Sequence, residues 1–92
     1  MAVTISIPTA LRQYAGGNAS LTFESGTVGE LLNQLVEQYP QLGKQLYNEQ
    51  NQLRNFVNIY VGDEDIRYLQ NTETPVPDGE TVSIIPAIAG GR

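Results

Sequence analysis

The sequence predicts an α+β protein in which one helix covers one face of a small mixed sheet. Three observations point there. Apolar β-branched residues alternate with polar ones near both ends, Val3-Thr4-Ile5-Ser6-Ile7 and Thr81-Val82-Ser83-Ile84. That period of two belongs to strands with one buried face. Val28, Leu31, Leu32, Leu35, Val36 and Tyr39 recur at helical spacing and make one apolar stripe. A third alternating run, Phe56 to Val61, lies between the helix and the last strand.

The elements follow in order. Pro8 ends the first strand, because proline has no N–H for a sheet ladder. Residues Thr9 to Asn18 contain a turn cluster, Gly16-Gly17-Asn18, in a connection longer than a tight two-residue turn. Leu21 and Phe23 then alternate with Ser20, Thr22 and Glu24, and the simplest pairing is an antiparallel hairpin with the first strand. Thr27-Val28-Gly29-Glu30 fits a capping box, with Thr27 as N-cap and Glu30 reaching back. Pro40 closes the helix, since the residue before proline is pushed out of helical φ/ψ. Leu42, Leu46 and Tyr47 suggest a short helical turn laid over the core, and residues 48–55 a polar loop. In the third strand Val57, Ile59 and Val61 share one face and Phe56, Asn58 and Tyr60 the other. Gly62-Asp63 signals a turn, and Ile66 to Leu69 a short fourth strand pairing back. Pro75 to Gly79 is a loop ending in a Pro-Asp-Gly turn. The last strand runs from Thr81 to Ile85, where Pro86 stops it.

The order is thus β-β-α-(turn)-β-β-β. With the last strand beside the first, it describes a β-grasp, a mixed sheet of about four to five strands with one main helix on one face. The expected inner face is Val3, Ile5, Ile7, Leu21, Phe23, Val57, Ile59, Val61, Val82 and Ile84. Residues 1–86 form the domain, and residues 87–92, Ala-Ile-Ala-Gly-Gly-Arg, a thin flexible tail. Glycines are common at loose chain ends. A diglycine also lacks Cβ atoms and can thread a narrow channel in a partner's active site.

Composition excludes much chemistry. The 92 residues carry a formal charge of −5, with the 5 basic residues scattered at Arg12, Lys44, Arg54, Arg67 and Arg92. Nucleic acids and anionic membranes need clustered cations, so neither is expected as a partner. With no Cys and no His, the chain has no thiol nucleophile, no thiolate metal site and no imidazole base. Asp63-Glu64-Asp65 is the one acidic run. It lacks the spacing and ligand number of a hard-cation loop and reads as a solvated hairpin corner, with Arg67 placed to pair with Asp65. No metal site and no catalytic set is expected. The start lacks a signal peptide and no apolar run spans a bilayer, which points to the cytoplasm.

Several stretches together resemble the ubiquitin-like sulfur-carrier family of the MoaD/ThiS type. They are Val3-Thr-Ile-Ser-Ile-Pro-Thr9 with Leu11-Arg12, Phe56-Val-Asn-Ile-Tyr-Val-Gly-Asp-Glu-Asp-Ile-Arg67, and Asp78-Gly-Glu-Thr-Val-Ser-Ile-Ile-Pro-Ala-Ile-Ala-Gly-Gly91. The middle hairpin and the Pro-Ala-x-Ala-Gly-Gly ending are most similar to the branch serving cysteine biosynthesis. The resemblance implies a carrier rather than an enzyme, with Gly91 as the acyl group that becomes a thiocarboxylate and Gly90 as spacer. It implies no tightly bound cofactor, ATP being used by a partner. The implied partners are an adenylating, ubiquitin-activating-like enzyme, a cysteine synthase acting on an activated serine, and a zinc metalloprotease that trims or releases the tail. Alternatives are the small subunit of molybdopterin synthase, the carrier of thiamine thiazole synthesis, and a ubiquitin-like modifier or interaction module. Arg92 departs from the family pattern, standing where the reactive carboxylate belongs. Either a peptidase removes it or it is no part of the native ending. Tyr60, Ile85 and Phe56, on the outer face near the tail, are the expected partner surface, unless residues 48–55 or the terminus cover them.

Overall fold

The structure is a computed structural model and describes residues 2–24, 26–54 and 57–86. β1 (Ala2–Ser6) and β2 (Ser20–Glu24) form the expected antiparallel hairpin, in register from Ala2↔Glu24 to Ser6↔Ser20. Thr27 then caps α1 (Val28–Gln38) by both arms of the box. Its hydroxyl accepts from the Glu30 N–H at 3.2 Å, and Glu30 Oε1 accepts from the Thr27 N–H at 3.0 Å. Two orphan donors of the first turn are satisfied this way. Leu31, Leu32 and Leu35 are fully buried on the sheet-facing stripe. Each contributes roughly 1.5–3 kcal/mol of hydrophobic stabilisation. Tyr39 ends α1 as its C-cap, and Pro40 opens α2 (Pro40–Leu46) at the position where a missing N–H costs nothing. The expected short turn is therefore a seven-residue helix that buries Leu42, Gly43 and Leu46.

β4 (Val57–Val61), β5 (Glu64–Asp65) and β7 (Thr81–Pro86) complete a five-stranded sheet ordered β2-β1-β7-β4-β5. β7 lies parallel to β1 and antiparallel to β4, so the sheet is mixed and the last strand sits beside the first, as predicted. Val3, Ile5, Ile7, Val57, Ile59, Val82 and Ile84 are buried beneath the helices. Leu21, Phe23 and Val61, assigned to the same face, are only half-buried against that core. For Leu21 and Phe23 the reason is position, since β2 is an edge strand with a neighbour on one side.

The connection between β1 and β2 holds more structure than expected, and three expectations need correction. The turn expected around Gly16-Gly17-Asn18 is present at Gly16 and Gly17, and the stretch before it, Thr9–Ala15, is a 3₁₀ helix that buries Leu11 and Ala15 and ends on Gly16, whose φ of 66° is left-handed. Ile66–Tyr68 is a 3₁₀ helix rather than a fourth strand, because Asp65 caps it and pulls the chain out of the ladder after two paired residues. Pro75–Val76, placed in a loop, is a short strand, β6, that pairs with Gly26–Thr27, β3. Asp65 is buried and not part of a solvated corner, although Asp63 and Glu64 are exposed.

Candidate functional site

The route to the tail is set by β7. Its first half has partners on both sides: Thr81, Val82 and Ser83 face Thr4, Ile5 and Ser6 on β1, while Val82 and Ser83 also face Val61 and Tyr60 on β4. Its second half outruns β1. Ile84, Ile85 and Pro86 pair with Ile59, Asn58 and Val57 of β4, and β1 offers them no register partner. The strand is thus anchored at the sheet centre and leaves it with one flank open. Pro86, expected to stop the strand, is its last paired residue. Gly90, Gly91 and Arg92, the residues expected to carry the chemistry, lie outside the described residues together with the rest of the tail, residues 87–92.

The outer face of the sheet, turned away from α1, surrounds that exit. Ser83 lies across from Tyr60, and Ile85 across from Asn58, so Tyr60 and Ile85 are diagonal neighbours on one face. Ile85 is 46% exposed and Tyr60 half-buried. These two of the three expected surface residues therefore come together, and Phe56 lies outside the described residues. The rest of the face is hydroxyl-rich: Thr4 sits between Thr22 and Thr81, and Ser6 between Ser20 and Ser83.

Sequence reasoning missed Tyr68 and Leu69, which the 3₁₀ turn pushes outward; Tyr68 is 85% exposed. The signal was the pairing of Asp65 with a residue two positions on, an Asx-type cap that competes with a strand. Asp65 Oδ1 accepts the Arg67 backbone N–H at 2.8 Å, and the Arg67 guanidinium reaches Asp65 Oδ2 at 3.3 Å. The expected ion pair is therefore present. The backbone N–H, acting more strongly than the guanidinium, holds the Asp65 carboxyl below the ordinary carboxylate range, although burial opposes it. Burial raises the Tyr47 phenol above its usual value, so it stays neutral and is no base near neutrality. A depression of about 610 Å³ lies between residues 47–54 and the 3₁₀ turns and includes Tyr47, Leu53, Ile66 and Thr72 in its walls. Its two arginines are engaged, Arg54 with the Lys44 carbonyl at 3.2 Å and Arg67 with Asp65. Among the described residues no three carboxylate, imidazole or thiol groups gather as a metal-ligand set.

The geometry is that of a domain whose central strand β7 ends beside a hydroxyl-rich face carrying Tyr60 and Ile85. Comparison with known proteins places the chain in a family. The profile of the ThiS family matches residues 5–91. The sulfur carrier protein CysO of Mycobacterium tuberculosis is 41% identical over 93 aligned positions, covering 99% of this chain and all of that one. Among solved structures, a chain of the Amycolatopsis orientalis BexX/CysO complex superposes with a TM-score of 0.86 at 40% identity, covering 97% of this chain and 99% of that one. The small archaeal modifier protein 3 of Haloferax volcanii is 31% identical over 68 residues, 74% of this chain and 73% of that one.

Proposed function

The chain belongs to the ThiS family of ubiquitin-like sulfur carriers, and on that premise we propose that Gly91 is the group that carries the sulfur, in the service of cysteine synthesis. A carboxylate is a poor acyl donor because its leaving group is poor. In the proposed sequence the Gly91 carboxylate attacks the α-phosphorus of ATP and pyrophosphate leaves. A sulfur nucleophile then attacks the acyl carbon and AMP departs with the former carboxylate oxygen. The product is a thiocarboxylate. The carrier contributes a docking face and a reachable end, and the adenylating partner supplies positioning and charge stabilisation. ATP is the partner's substrate, and the chain needs no tightly bound cofactor of its own. The proposed acceptor is a cysteine synthase working on an activated serine, in the cytoplasm. Among the described residues no helix is long and apolar enough to cross a membrane.

The observation that carries this reading is the strand exit. β7 runs from the sheet centre to Pro86 with one flank open, and a diglycine follows four residues later. Full-length likeness to CysO favours the cysteine branch over the molybdopterin synthase subunit.

Arg92 extends the chain beyond Gly91 by about one residue, ~3.5 Å. A site built to hold a diglycine carboxylate against ATP would meet a bulky, permanently charged side chain there. Misplacement on that scale can cost on the order of 100-fold in rate. The 92-residue form is therefore read as a precursor trimmed by a peptidase, for which a zinc metalloprotease is the proposed class. The test gives the 92-residue chain and one ending at Gly91 to an adenylating enzyme with ATP and sulfide, and follows intact mass. The Gly91 form is expected to exchange one oxygen for one sulfur and the longer form to remain unchanged. Equal conversion of both would end the precursor reading, and conversion of neither would end the thiocarboxylate reading. The likeness to an archaeal modifier keeps protein modification as the second reading. Isopeptide adducts on other proteins' lysines, without the sulfur gain, would favour it.

A further inference from the structure

The large apolar side chains exposed among the described residues are Tyr68 at 85%, Ile85 at 46% and Leu69 at 40%. Tyr68 does not stand alone. It and Tyr60 border a shallow groove on the outer side of the β4–β5 hairpin, whose remaining walls are Asp63, Glu64 and Asp65. Asp65 is engaged by Arg67, whereas Asp63 and Glu64 have no ion-pair partner among the described residues. Glu80 adds a further carboxylate at the same corner, its Oε2 lying 3.1 Å from where a Cβ on Gly62 would stand. Two aromatic side chains with unpaired carboxylates beside them make a surface that selects a cation with a flat, weakly hydrated face. A guanidinium stacks on the rings and presents N–H groups to the carboxylates. A hard metal ion would need six or more oxygens, far more than two free side chains supply. A nucleic acid or an anionic lipid would be repelled.

We propose that this groove takes an arginine side chain presented by a partner protein. The position suits such a partner. Tyr60 lies across from Ser83, and Ile85 follows two residues later on the same face, so a protein seated in the groove also reaches the strand exit. The chain's charge of −5 steers a basic surface towards it. The inference goes beyond the carrier reading and does not depend on the fate of Gly91.

The test titrates the isotopically labelled 92-residue chain with the peptide acetyl-Gly-Arg-Leu-amide and follows backbone amide shifts. A peptide with citrulline for arginine, neutral and nearly isosteric, is the control. Saturable shifts confined to residues 60–69 are expected with arginine and absent with citrulline. Tyr68→Ala and the pair Asp63→Asn with Glu64→Gln should each weaken the arginine response about 2- to 5-fold, the range of an exposed cation–π contact. Tyr68 is almost wholly exposed, so its truncation leaves the fold intact. Equal binding of citrulline, or shifts spread evenly to the distant carboxylates Glu24, Glu37 and Glu49, would overturn the proposal.

Discussion

Asp65 offers the most informative perturbation, because one buried carboxylate shapes the corner that displays Tyr68. Its Oδ1 accepts the Arg67 backbone N–H at 2.8 Å as the cap of the 3₁₀ turn, and its Oδ2 meets the Arg67 guanidinium at 3.3 Å. The two contacts are unequal. A side-chain cap is worth about 0.5–2 kcal/mol. The ion pair is long, and the Arg67 side chain is 52% exposed, so water screens it to about 0.2–1 kcal/mol. Asp65→Asn keeps an oxygen for the cap and loses only the charge, so its cost should stay below about 1 kcal/mol. Asp65→Ala loses both and should cost about 0.7–3 kcal/mol, the sum of the two contributions. In a domain of this size each kcal/mol moves Tm by about 4–8 °C.

The pH dependence separates charge from cap. The folded carboxyl titrates below the ordinary range, whereas the unfolded one titrates near about 3.9. A lowered carboxylate pKa stabilises the fold above the unfolded value, and that contribution fades as pH falls through the folded one. Urea melts of wild type and Asp65→Asn should therefore differ by a constant amount from about pH 5 to 8 and converge below about pH 4. An Asn variant as unstable as the Ala variant, with a gap indifferent to acid, would refute the division of labour between cap and charge.

Gly43→Ala should destabilise although alanine is the better helix former by about 1 kcal/mol. The new Cβ would stand 2.7 Å from Val36 Cγ1, and a β-branched valine in a helix has little χ1 freedom to yield; the overpacking costs about 1–3 kcal/mol. Adding Val36→Ala should recover much of that loss in urea titrations, and a stabilised Gly43→Ala would contradict the packing. Thr27→Ala removes the hydroxyl arm of the capping box and should cost about 1 kcal/mol by thermal melt, with sulfur loading of a Gly91-ending chain unchanged. Tyr60→Ala should weaken binding to the adenylating partner by about 10-fold or more, as expected of an aromatic anchor, while lowering Tm little. If Tm collapsed and the folded fraction bound normally, Tyr60 would be core instead.

Where periodicity ran long enough to average out, the sequence was a sufficient guide. The α1 stripe and the alternation in β1, β4 and β7 each have one solution that buries their apolar side, and the structure adopts it. Short segments were legible only where a cap was written out, as at Thr27 and Glu30. The 3₁₀ turn at Ile66 was hidden because Ile66 to Leu69 satisfies strand propensity as well as helix propensity. The choice is made by the Asp65 carboxylate, through a contact two residues away. Leu11 and Ala15 give too short a pattern to announce a helix, and tertiary burial decides their shape. Tyr60 and Ile85 were correctly placed on one face by counting in twos. Their polar surroundings follow from the strand register, which no single strand reveals.

That register also limits how a partner can work. The five residues from Ala87 to Gly91 separate the strand exit at Pro86 from the diglycine end, and covalent geometry caps their reach at about 18 Å. A partner that processes Gly91 must therefore hold the domain close to Pro86. Around Pro86 the described residues of the face offer hydroxyls on β1 and β2, which water satisfies equally well, and larger apolar side chains at Ile85 and Tyr60, with the groove at Tyr68 beyond the end of β4. A partner gripping β2 would gain little contact energy and would sit on the far side of β1 from the exit. A partner gripping Ile85 and Tyr60 gains contact and reach together. On the proposed reading the central placement of β7 makes those two requirements coincide, because the strand that leads into the tail also carries Ile85 on the face proposed for the partner.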